Sequence, residues 1–178
     1  MILDFLLNRT NLPYPDPLHA IVVHFVIAMV IISFLFEVIG LISKRQSLLN
    51  AGWWNLVVAA IAIFFAILFG QFEIGLAQPS QAAQPTINRH LAVGWLLLLL
   101  LPNLALWQGI ERSRDRTRIS KGVLAFKAIV VVLVCYQFLL GTTMYWVYGI
   151  HVEPVATASR AELPDAGAGR PNLTGEVR

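Results

Sequence analysis

Four histidines and one glutamate are the side chains best suited to chemistry, and their positions bring them to one level. His19 and His24 stand five residues apart, His90 follows Asn88 and Arg89, and His151 follows an aromatic run. Gly70-Gln71-Phe72-Glu73 adds an amide and a carboxylate. Neutral imidazole is the commonest ligand for transition metals and an axial ligand for haem. A b-type haem or a transition metal is therefore the cofactor such a set could serve. Spacing limits the set, because His19 and His24 are about 140° apart on a helix and face different neighbours. His24 shares a stripe with Ala20 and Ala28, which leaves room beside its ring. It also lies deep enough in an apolar segment to need a polar partner. The expected arrangement brings His24, Glu73 and His90 together. Its simplest form is a hydrogen bond or ion pair between His24 and Glu73; its functional form has His24 and His90 as ligands. His19 is expected near the surface among water and headgroups, and His151 in the tail. No nucleophile–base pair, phosphate loop or metalloprotease motif occurs, so chemistry of the soluble-enzyme kind is not expected.

These residues are carried by four apolar segments. Of 178 residues, 57% are apolar and 13% charged, against about 45–50% and about 25% in a soluble domain. That balance excludes an ordinary water-soluble protein, and it excludes disorder as the main state. A net charge of +3 with clustered positive residues gives no broad basic face for nucleic acid. A single cysteine, Cys135, excludes an internal disulfide framework or a multi-cysteine metal site. A membrane span needs about 20 mostly apolar residues. Residues 18–43, 53–77, 90–110 and 122–149 qualify. The short polar interruptions favour an antiparallel up-down arrangement. The predicted fold is an all-α integral membrane four-helix bundle. The first span is too long for a cleavable signal, and Asp4 and Asp16 precede it against Arg9 alone. Residues 1–17 read as a leader, either lying along the membrane surface or loosely ordered. Residues 150–178 read as a disordered polar tail.

Lys44, Arg45, Arg112, Arg114, Arg116, Arg118 and Lys121 fall in the first and third loops, and only Arg9, Arg89 and Arg160 flank the other ends. This bias places both basic loops in the cytoplasm and both termini outside. The tryptophans and tyrosines near the span ends read as interfacial belts. Glu37 and Lys127 lie close enough to the inner boundary to snorkel toward it. Ser33, Asn103 and Gln137 sit nearer the midplane and are expected to hydrogen-bond between helices.

The segment Pro17-Leu18-His19-Ala20-Ile21-Val22-Val23-His24-Phe25-Val26-Ile27-Ala28 resembles the opening helix of the DUF2231 family, bacterial membrane proteins of unknown function. That helix has a His-Pro-x-x-x-x-His-Phe-Pro-Ile-Ala-like start. Gly70 with Glu73, and His90 with Gly94, are similar to later features of the family. Ala20 and Val26 stand where the family pattern has prolines, and neither change removes a candidate ligand. The resemblance covers roughly residues 17–107. It implies four spans in a bacterial inner (plasma) or internal membrane, and tilts the reading toward a respiratory or redox setting. Three function classes compete. One is a redox or metal-handling protein whose outer His/Glu cluster of His19, His24, Glu73 and His90 binds a cofactor. Another is a non-catalytic accessory subunit set against a larger membrane complex. A transporter or channel ranks last, since no paired broken helices or polar stripe offers a path.

Overall fold

The computed structural model describes residues 18–76 and 79–150. The expected leader, most of the tail and His151 lie outside them. Four long helices follow in order: α1 (Leu18–Ser43), α2 (Gln46–Leu76), α3 (Gln84–Arg114) and α4 (Lys121–Trp146). A three-residue 3-10 turn, Gln81–Ala83, leads into α3. All four helices are long and apolar enough to cross a bilayer. The protein is an all-helical membrane bundle.

Several helix ends differ from the sequence reading. Helix α2 begins at Gln46 and α3 runs through 31 residues, about 46 Å at the helical rise. That exceeds the roughly 30 Å hydrocarbon core, so polar residues at these ends continue the helices beyond their apolar part. The first connection shrinks to two residues because Lys44 adopts a left-handed conformation (φ 54°). Arg45 N–H then donates to the Gly40 carbonyl at 3.0 Å, closing the end of α1 in a Schellman-type turn. Ser120 caps α4 by accepting from Val123 N–H. In the same loop Thr117 hydrogen-bonds to Asp115 and holds that carboxyl below its ordinary pKa. Helix α4 stops at Trp146 instead of Gly149, and Gly149 turns the chain at φ 60°. Ile150, which the sequence placed in the tail, is buried beside Ala83 and Ile87.

Each helix packs on its chain neighbours, and α1 also meets α4, where the contact is least extensive. The four form a ring with α1 opposite α3 and α2 opposite α4. Gln46 Nε2 donates to the Arg116 carbonyl at 2.5 Å, so the two basic loops lie side by side at one end. Arg112 turns inward there, bonding Asn50 Oδ1 at 2.7 Å over the Trp53 ring. Asn103 differs from expectation: it is exposed and donates to the Leu99 carbonyl of its own helix, while α3 runs unbroken through Pro102.

Glu37 and Lys127 do not snorkel. Both side chains are fully buried, with Nζ 2.5 Å from Oε2. Lys127 also donates to Ser33 Oγ at 3.1 Å and Gln108 Oε1 at 2.9 Å, so its three N–H bonds are all used. Gln108 Nε2 donates to Glu37 Oε1, and Ser33 Oγ donates to the Gly52 carbonyl. One polar knot thus ties all four helices. Snorkelling fails because these residues face the bundle axis, where acceptors are nearer than headgroups. Gly52 is part of the fit: a Cβ there would lie 2.6 Å from Glu37 Cγ and 2.9 Å from the Ser33 carbonyl oxygen. Gly52→Ala is expected to destabilise the bundle by about 1–3 kcal/mol, the usual range for overpacking. Thermal unfolding in detergent reads it, and an unchanged midpoint contradicts the knot's tightness.

Candidate functional site

At the end remote from the basic loops, the four helices enclose a cavity of about 440 Å3. Ligand sites commonly fall in this range, about 300–1,000 Å3. Most of its lining is apolar, and its polar side chains include His19, His24, Gln71, Glu73, His90 and Gln137. Helix starts α1 and α3 meet helix ends α2 and α4 here. That antiparallel order is why residues so distant in sequence share one layer.

His19, not His24, lies at the centre. Its Nδ1 sits 2.8 Å from the Ala66 carbonyl on α2. A carbonyl only accepts, so Nδ1 carries the hydrogen and Nε2 of the neutral ring carries the lone pair. Nε2 is 3.9 Å from Glu73 Oε2, and the His19 and His90 ring centroids are 6.3 Å apart at an interplanar angle of 73°. The carboxylate partner expected for His24 therefore belongs to His19. His19 is also less exposed than a position among water would leave it: its side chain is 20% exposed and Glu73 12%. Helix rotation is the reason. The 140° between the two histidines turns His19 toward α2 and the axis and His24 toward α4.

Glycines make this possible. A Cβ on Gly70 would lie 2.8 Å from His19 Cε1, and a Cβ on Gly141 would lie 3.5 Å from His90 Cε1. Each imidazole thus rests against a glycine of a neighbouring helix. The histidines come from one diagonal of the ring and the glycines from the other. Gln137 Nε2 donates to the His90 carbonyl at 3.0 Å, the interhelical role expected of it. His90 Nδ1 and Gln137 Oε1 are buried with no hydrogen-bond partner. Such an orphaned group costs roughly 1–3 kcal/mol.

His24 lines the same cavity at its edge. It is exposed, its Nδ1 bonds the Ala20 carbonyl of its own helix at 2.6 Å, and its ring stands edge-on to Phe138 at 6.1 Å. Sequence reasoning gave no part to Gly141. Its only signal was its helical level, opposite His90.

A family model described as a predicted membrane protein (DUF2231) matches residues 15–154. Comparison with curated proteins and with solved structures finds no match.

Proposed function

The chain belongs to the DUF2231 family of predicted membrane proteins, and we propose that it holds a b-type haem in this cavity, where His19 and His90 would be the residues that hold it. The observation that carries the reading is the meeting of two imidazoles from opposite helices at 6.3 Å. Two imidazoles this close could both serve one bound metal centre. The orphaned Nδ1 of His90 and the glycine cradles support the same group. A bare metal ion is supported less: among the described residues, no three His, Cys, Asp or Glu side chains gather as an ion's ligand set. Haem bound here supplies one-electron redox chemistry. The protein's part is orientation and environment. The Ala66 carbonyl fixes the His19 ring and its tautomer, as an acceptor on the far ring nitrogen does for a ligating histidine. Glu73 places a carboxylate beside the site, and the apolar walls exclude water. The setting proposed is the plasma or an internal membrane of a bacterium.

Gly70→Ala tests the cradle. The added methyl would push on the His19 ring and break its bond to Ala66, so the variant is expected to lose most of its haem absorption. An unchanged spectrum removes His19 from the coordination sphere.

Orientation belongs to the same proposal, because it puts the cavity in the outer leaflet. With both basic loops cytoplasmic, a cysteine at exposed Ser113 should resist membrane-impermeant thiol reagents in intact cells and react after lysis. Labelling in intact cells inverts the topology.

A further inference from the structure

His24 is unexplained by the haem reading. It stands six residues inside α1 on the exposed side, between exposed Ala20 and Ala28. Exposure at this depth means facing lipid or the mouth of the cavity, and a polar atom there is costly without a partner. The bond from Nδ1–H to the Ala20 carbonyl leaves Nε2 of the neutral ring as an acceptor only. Lipid ester oxygens are acceptors too and cannot satisfy it. A membrane-borne partner that brings a hydrogen-bond donor would satisfy it. The surroundings add a shape. Phe138, 41% exposed, stands edge-on to His24, and both line the cavity where α1 and α4 pack least extensively. A flat aromatic ring entering this seam finds an aromatic face and an acceptor together.

We propose that the lateral mouth between α1 and α4 binds the ring of a membrane-borne quinol, one of whose hydroxyls donates to His24 Nε2. This rests on the cavity and on His24, and not on the haem reading. The test uses the full chain in phosphatidylcholine nanodiscs and a short-tailed ubiquinol analogue with a diazirine in its tail. Photolabelling should saturate, map to α1 and α4, and be competed by decyl-ubiquinol but not by phosphatidylglycerol. His24→Leu should weaken half-saturation about tenfold, one hydrogen bond's worth. His24→Gln, which keeps an acceptor, should recover most of it. His19→Ala is read by its absorption spectrum alone and tests the haem reading separately. Labelling that does not saturate, that maps elsewhere, or that phosphatidylglycerol competes away overturns the proposal. Equal half-saturation in His24→Leu does so too. The wild-type map decides even where a variant folds poorly.

Discussion

Lys127→Met is expected to destabilise the bundle by roughly 3–5 kcal/mol, the largest effect of any single change outside the cavity. The lysine side chain is 0% exposed and supplies hydrogen bonds to Glu37, Gln108 and Ser33. Removing it leaves Glu37 buried without its counter-charge, and breaking a buried pair from one side costs about this much. Glu37→Gln with Lys127→Met removes both charges and keeps a side chain for Gln108 to bond. The double variant should therefore recover most of the loss. Unfolding midpoints in detergent for the two singles and the double give the coupling directly. If Lys127→Met unfolds at the wild-type temperature, the knot contributes nothing to stability. If the double is no better than the single, the loss comes from lysine's other contacts and not from an orphaned charge.

The second large effect is on the cofactor. His19→Ala and His90→Ala should each abolish haem binding, because each would remove one of the two side chains proposed to hold it. His24→Ala should leave it intact, since that ring bonds within α1 and faces Phe138. Stability separates ligand loss from misfolding. His19→Ala gives up one hydrogen bond, to the Ala66 carbonyl, worth about 1 kcal/mol. The apoprotein should stay inserted and helical by circular dichroism. If His24→Ala loses the haem and His19→Ala keeps it, the assignment is wrong.

The bundle was legible in the sequence because a hydrocarbon core sets a length and a composition that few other structures need. Four apolar segments with short polar breaks leave little choice of architecture. The helix ends were less so. Polar residues such as Gln46 and Arg114 are excellent helix formers outside the bilayer, and hydropathy alone drops them. The site was half legible. His19, His24, Glu73 and His90 do line one cavity, since level along a helix follows from counting. Which of the two histidines on α1 faces the axis depends on how the helix is rotated, and rotation is set by tertiary contacts. Depth argued for His24; the bond to Ala66 and the notch at Gly70 turn His19 inward instead. The knot was missed for a related reason. Glu37, Gln108 and Lys127 each stand six residues from the basic-loop end of their helices, at Ser43, Arg114 and Lys121. That shared level, about 9 Å in, was readable, but each residue was weighed alone against the nearby boundary.

One haem per chain would be held by His19 and His90. The most direct test is the ratio of haem to chain, by pyridine haemochrome, in wild-type protein gently extracted from membranes of haem-replete cells. A ratio near one haem b per chain is expected. Protein that is folded and four-helical but carries no haem would contradict it.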